Sequence, residues 1–273
     1  MEGVSLEGKI VLITGSTDGI GKATALRLAQ AGATVLLHGR SQEKLDGVLE
    51  EIRKLTGNNK IHAYRADFSS LEDVRHLIEI LQHDLESLDV LINNAGVFMQ
   101  RRVLTQDSLE MTFQVNYLSH FLLTLSVLDL VKKGRSPRIV NVSSMAHASS
   151  IDFENLQGEN AYDPYEAYSI SKLCNIYFTY ELAERLENYG IIVNCLHPGV
   201  IDTKLLAAGW GGGMGSPVKR GADNVFFVAQ DPGLDGVTGK YFVDKRPARS
   251  SAVSYDVEKR KRLWHISEHM AGL

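Results

Sequence analysis

Residues 9–21 read K-I-V-L-I-T-G-S-T-D-G-I-G. Ile10, Val11, Leu12 and Ile13 form an unbroken apolar run, the pattern of a strand buried on both faces of a parallel sheet. From Ile20 onward the period becomes helical, with Ala23, Leu26 and Ala29 supplying a small-residue face for close packing. Between strand and helix lies a turn made of Gly15, Ser16, Thr17, Asp18, Gly19, Ile20 and Gly21. Glycines let the backbone turn sharply and approach a pyrophosphate, while the helix start offers unpaired N–H groups and a positive dipole end to an anion. These residues are therefore candidates for holding a nucleotide. With 24 glycines in the chain, such a turn elsewhere would be only a turn; the strand before it and the helix after it carry the reading.

The same alternation continues outward. Strands are expected at residues 9–14, 34–38, 60–66, 90–93, 138–143, 191–196 and 239–242, separated by amphipathic segments at 20–31, 41–55, 109–130 and 165–189. Gly32 ends the first helix, Ser41 caps the second, and Ser69 or Ser70 caps a third. The expected fold class is α/β, a Rossmann-type doubly wound parallel sheet of about seven strands with helices on both faces. At 273 residues this fits one domain, with residues 9–200 as its core and 239–273 adding a C-terminal strand and helix.

Composition narrows the function classes. A hydrophobic share of 44% and a charged share of 23% describe a globular chain with a sizeable core. The net charge of −4 gives no general attraction to phosphate backbones, so nucleic acid is not an expected partner. Residues 1–9 carry no apolar leader and no apolar run is long enough to cross a bilayer, so no integral membrane segment is expected. Cys174 and Cys195, the two cysteines, lack metal-ligand spacing, and no metal is expected. A cytoplasmic location fits this reading.

The glycine spacing is G-x-x-x-G-x-G, and further motifs follow in order: Asn93, Asn94, Ala95 and Gly96 after the fourth strand, Tyr168 and Lys172 as Y-x-x-x-K, and Pro198, Gly199 and Thr203 after the sixth strand. Y-x-x-x-K alone would be unremarkable in a chain with ten tyrosines. Together the motifs, spanning residues 14–203, resemble the short-chain dehydrogenase/reductase family. The resemblance implies hydride exchange between a nicotinamide cofactor and the carbonyl or alcohol carbon of a small substrate. It makes Tyr168 the general acid/base, Lys172 the charge that tunes it and holds the nicotinamide ribose, Ser144 the carbonyl-orienting donor, and Asn116 the residue that positions a proton-relay water. Ser143 competes with Ser144, and Asn116 could instead be a satisfied core amide. An unperturbed phenol has a pKa of about 10, so the positive charge of Lys172 and of the oxidised nicotinamide is expected to lower it. Ile201 and Thr203 resemble positions that bind the carboxamide and pyrophosphate.

Cofactor choice rests on the end of the second strand, where an acidic residue would bind the ribose hydroxyls of NAD. Here Gly39 stands in that place and Arg40 follows, a residue able to pair with a 2′-phosphate. NADP(H) is expected in preference to NAD(H), which remains possible; Arg40 could otherwise stack on adenine or face solvent. Asp67 fits the family position that meets the adenine amino group, or serves as a loop or capping carboxylate.

On the substrate side, N-L-Q-G-E at residues 155–159, residues 239–244, and Arg262, Leu263 and Trp264 resemble the retinol-dehydrogenase-like branch, whose members act on apolar aldehydes, retinoids and related alcohols. Residues 203–220, with Trp210 and the glycines at 211–213 and 215, occupy the place of a substrate lid, or of a disordered connector. His147 reads as a loop histidine. The basic run 259–262 reads as the solvated face of a helix whose Leu263, Trp264 and Met270 turn inward, with weak membrane docking as the other reading. The long helices starting near Leu109 and Tyr165 resemble those of two-fold dimers, which makes a homodimer possible. The rival function is an NADP(H)-binding sensor or scaffold without turnover.

Overall fold

In the computed structural model, which describes residues 5–273, the apolar runs become eight strands of one sheet in the order β3-β2-β1-β4-β5-β6-β7-β8. Residues 1–4, part of the leader reading, lie outside the described residues. The strands are β1 (Ile10–Ile13), β2 (Thr34–Gly39), β3 (Ile61–Arg65), β4 (Val90–Asn93), β5 (Arg138–Val142), β6 (Ile192–His197), β7 (Lys240–Val243) and β8 (Arg246–Ala248). β1 to β7 run parallel, and the strand order reverses between β1 and β4.

Successive side chains of a strand point to opposite faces, which the central strands use fully. Leu12, Leu36, Leu91, Ile139 and Val193 enter one core layer, against α3 (Leu71–Asp84), α5 (Ser119–Ser126), α7 (Pro164–Arg185) and α10 (Val257–Ala271). Val11, Ile13, Val35, Leu37, Ile92 and Val140 enter the other, against α1 (Gly19–Gln30), α2 (Gln42–Thr56) and α9 (Val218–Gln230). Helix starts follow local chemistry: Asp18, Ser41, Ser70 and Asp163 each accept a bond from a backbone N–H of the first turn. Of the two expected caps, Ser70 is the one used.

Three expectations change. The eighth strand was not anticipated: β8 pairs antiparallel with β7 across Asp244 and Lys245, both at positive φ, and its Pro247 is tolerated because this is an edge strand. The helix expected at 109–130 is broken into α4 (Met111–Phe113), a π-turn at Gln114–Leu118, α5, and α6 (Leu128–Lys132) after Val127 leaves helical geometry. The helix expected at 165–189 ends at Arg185, with a 3-10 turn at Glu187–Tyr189. The lid segment is ordered as α8 (Lys204–Trp210), and Ser216 is tied back to Val200 and Asp202 by backbone bonds of 2.8 and 3.0 Å.

Candidate active site

The carboxyl ends of β1, β4, β5 and β6 meet where the strand order reverses, the place where open α/β sheets leave a crevice. On the β1 side the glycine turn is pressed against the β4 loop. Gly15 has φ +64°, and a Cβ there would sit 2.7 Å from the Ala95 Cα; at Gly21 it would sit 2.1 Å from the Gly15 carbonyl oxygen. No side chain fits either position. Asn94 fastens the turn by donating from Nδ2 to the carbonyls of Thr14 (2.8 Å) and Gly15 (3.2 Å). The Thr14 hydroxyl in return accepts the N–H groups of Asn94 (2.8 Å) and Ala95 (2.9 Å). Asn93 points elsewhere: its amide donates to Thr124 and to Asn141, a buried cross-strand pair that holds β4 to β5. Ser16 is also engaged internally, accepting from the His38 N–H at 2.9 Å.

β5 and α7 bring the proposed reacting side chains together. Tyr168 and Lys172 lie one turn apart on α7, both buried, with the Lys172 Nζ 5.6 Å from the centre of the phenol ring. Nζ donates to the Val142 carbonyl at 3.0 Å. Ser144 is half-buried, its Oγ accepting from the Ala146 N–H at 3.1 Å, and it lies close enough to the Tyr168 phenol to oppose the rise of its pKa. The Ser143 hydroxyl instead donates to the Lys172 carbonyl at 2.7 Å, which removes it from the crevice. Asn116 sits in the π-turn, its Oδ1 accepting from the Val97 N–H (2.7 Å) and its Nδ2 donating to the Val97 carbonyl (3.0 Å) and Ser171 Oγ (3.0 Å). Such turns occur mostly where a helix serves a site. Phe98, Trp210 and Tyr165 gather around the phenol end: Phe98 and Trp210 are each 5.5 Å from the Tyr168 ring, and Tyr165 is 5.9 Å from Trp210.

The remaining predicted positions divide. Arg40 is exposed at the end of β2, with no ion pair among the described residues. Asp67 accepts at Oδ1 from the Ser69 N–H and hydroxyl, a loop turn ahead of the Ser70 cap. Thr203 caps α8, and Ile201 is buried beneath it, bridged to Ser216. Pro198 accepts at its carbonyl from Asn224, and Gly199 has φ +107°. Lys204 of α8 pairs with Asp18 of the glycine turn, joining lid to cradle beside a groove of about 560 Å³ between α1 and α8.

The family profile for short chain dehydrogenase matches residues 9–210. The chain belongs to the short-chain dehydrogenase family. Within that family it is similar to retinol dehydrogenase 11 of Homo sapiens, at 40% identity over 99% of this chain and 88% of the relative. It is 39% identical to retinol dehydrogenase 13 of Mus musculus, over 98% of this chain and 85% of the relative. Among solved structures, a short chain dehydrogenase from Escherichia coli complexed with NADPH superposes with a TM-score of 0.70, at 27% identity over 89% of this chain and 99% of that one. Like its relatives, this short-chain dehydrogenase is an oxidoreductase acting on CH–OH groups.

Electrostatics in this short-chain dehydrogenase bears on the lysine half of the expected lowering of Tyr168. Burial pushes the phenol up to about 12, with Ser144 opposing, and Lys172 does not reverse this. Burial also brings the Lys172 ammonium down to about 8. The protein alone therefore does not supply a lowered phenol. Four residues of the site escaped the sequence reading: Thr14, His38, His120 and Ser171. Thr14, His38 and His120 are polar residues inside or at the end of apolar runs, and that mismatch was the available signal; Ser171, within Y-S-I-S-K, carries no such mark. His147, read as a loop histidine, joins the Ser144 carbonyl (Nδ1, 2.7 Å) to the Ser251 N–H (Nε2, 2.9 Å) and so props the Ser144 loop on the C-terminal segment.

Proposed function

We propose that this chain interconverts an apolar aldehyde or ketone and its alcohol with NADP(H), the substrate being an isoprenoid or similarly extended apolar compound. The observation that carries the reading is a buried phenol, Tyr168, with Ser144 beside it, one helical turn from Lys172 and flanked by Phe98 and Trp210. Aromatic walls favour an apolar substrate body, and Ser144 offers a donor for one carbonyl oxygen. The relatives named retinol dehydrogenase support the isoprenoid class.

The residues present fit a dinucleotide. The Gly19 N–H is taken by Asp18, while helix geometry leaves those of Ile20 and Gly21 for an anion. Gly96 keeps a space clear: a Cβ there would reach within 3.7 Å of the Lys172 Nζ and 3.4 Å of the Asn116 Oδ1. Gly39 has no room for a carboxylate, since even a Cβ would meet the Thr17 methyl at 2.6 Å. With exposed Arg40 beside it, the end of β2 suits a 2′-phosphate, and the structure solved with NADPH supports the same choice.

When bound, the nicotinamide would supply or accept the hydride and, in its oxidised form, add positive charge near the phenol. Tyr168 then gives a proton to the carbonyl oxygen in reduction, or takes it from the hydroxyl in oxidation. Ser144 orients that oxygen, Lys172 holds the ribose and returns charge to the phenol, and Asn116 positions the water that resupplies the proton. Residues 203–220 act as the lid that excludes water. A sensor without turnover has no feature in its favour, because all four side chains retain the chemistry of the reaction.

The test is oxidation of NADPH and NADH, followed by absorbance, over retinal, aliphatic and aromatic aldehydes, ketones and quinones. Turnover is expected with extended apolar aldehydes. Tyr168→Phe should lower kcat by about a thousandfold while leaving the NADPH Kd within about twofold. A Phe variant with near-normal turnover would remove Tyr168 from the reaction.

A further inference from the structure

Below the glycine turn lies a buried imidazole to which the reaction as proposed gives no part. His120, on α5, is 1% exposed and hydrogen-bonds at both ring nitrogens. Its Nε2 is 2.8 Å from the Thr14 hydroxyl, and its Nδ1 is 3.1 Å from the Asn116 carbonyl.

The partners decide the tautomer. A carbonyl only accepts, so the ring proton is on Nδ1 and donates to Asn116, leaving Nε2 an acceptor. Thr14 Oγ1 already accepts two N–H bonds, from Asn94 and Ala95, and has one proton to give. The Ile92 carbonyl is 3.4 Å away and Nε2 is 2.8 Å away, so the proton goes to His120. Burial holds the ring's pKa down at about 3, which keeps it neutral in this one arrangement.

The result is a continuous line with a single direction. The N–H groups of Asn94 and Ala95 donate to Thr14, Thr14 donates to His120, and His120 donates to the Asn116 carbonyl in the π-turn. One end of the line fastens the turn that would carry the dinucleotide. The other fastens Asn116, whose side chain grips Val97 and, through Ser171, the turn of α7 between Tyr168 and Lys172.

We infer that His120 is a positioning residue, the strut that sets the dinucleotide-side Thr14–Asn94–Ala95 turn and the catalytic-side Asn116 π-turn in register with each other. The inference rests on the proposed NADP(H) chemistry of the site. Its two contacts are separable by substitution, because an Asn side chain ends near the Nδ1 position and a Gln side chain near Nε2.

His120→Asn keeps a donor for the Asn116 carbonyl and loses the partner of Thr14. His120→Gln keeps an acceptor for Thr14 and leaves the Asn116 carbonyl without its donor. Loss of one buried hydrogen bond is worth about tenfold. The NADPH Kd, read by fluorescence titration, should therefore rise about tenfold in His120→Asn with kcat at saturating NADPH within about threefold. In His120→Gln, kcat should fall about tenfold with Kd within about twofold.

Thr14→Val removes the hydroxyl from the other side and with it the acceptor of the Asn94 and Ala95 N–H groups, so it should raise the NADPH Kd by more than His120→Asn does with kcat at saturating NADPH again within about threefold; if a histidine variant does not fold, a fall of kcat beyond that range in Thr14→Val overturns the inference. Variants that change Kd and kcat together, or neither, would make His120 a core filler and overturn the inference while the proposed function stands. Wild-type protein that binds no NADPH would overturn both.

Discussion

Ser143 and Ser144 are neighbours of identical chemistry, and one hydrogen bond divides them. The Ser143 hydroxyl closes on the Lys172 carbonyl and is buried, whereas Ser144 stays half-buried and faces the phenol. The same division separates Asn93, a cross-strand amide, from Asn94, the clasp of the glycine turn. The proposed choice of cofactor also belongs to this scale. Arg40 has no acidic partner within the described residues, so its guanidinium is available to a 2′-phosphate. Arg40→Ala should reduce the ratio of kcat/KM for NADPH to that for NADH by about tenfold, the worth of a charge-assisted hydrogen bond. An unchanged ratio would assign selectivity to other residues.

The glycine turn as an element depends on two imidazoles that must stay neutral. His38 accepts from the Gly15 N–H at Nδ1 (3.2 Å) and meets the Ala66 carbonyl at Nε2 (3.2 Å), and burial brings its pKa down to about 4. His120 lies beyond Phe68, whose ring centre is 4.3 Å from that of His38 and 5.1 Å from that of His120. Both folded values lie below the ordinary value of about 6.5. Above that pH neither state is protonated and no stability is lost. As pH falls through it, the unfolded chain takes up protons that the folded histidines do not, so stability falls until the folded values of about 4 and 3 are reached. Each histidine contributes about 1.4 kcal/mol of loss per pH unit in that window. Urea unfolding at pH 7.0 and 5.5, with pH values chosen by these ordinary and folded ranges, about 6.5 and about 4, should show the lower stability at the acid end. His197 and His147 are also held below the ordinary value by burial, so in His120→Gln the acid loss should shrink by roughly a quarter to a third; an undiminished loss would mean that other groups govern it.

The whole molecule is closed by its C-terminal helix. Leu263 and Trp264 of α10 enter the core, Trp264 lying 5.0 Å from Phe121 and 5.9 Å from Phe178, and Ser267 is 2.7 Å from the Tyr117 hydroxyl. Arg260 pairs with Glu184, and Arg262 with Glu154, so much of the basic run at 259–262 is engaged within the chain. Because α10 covers the sheet-distal faces of α5 and α7, a homodimer through those helices would first have to displace it. Trp264→Ala should lower the unfolding free energy by about 3 kcal/mol, the cost of a cavity of that size, with the urea m-value unchanged. A loss below about 1 kcal/mol would mean that α10 rests on the surface rather than completing the core.

Periodicity determined the layered α/β architecture, because an apolar run of strand length between amphipathic helices has few ways to bury itself other than in a covered parallel sheet. Motif order likewise brought Tyr168, Lys172, Ser144, Asn116 and the glycine turn to notice without coordinates. Long-range contacts decided the rest. β8 is a strand only because β7 offers it an edge, and the helix expected at 109–130 passes through a π-turn that carries Asn116 and breaks again at Val127, with no proline or glycine at either place. Tyr168 has its raised pKa because Phe98 and Trp210, distant in sequence, remove water from it. The line from Thr14 through His120 to Asn116 joins residues about a hundred positions apart, and a hydrogen bond carries no mark in the sequence of the partner it will find.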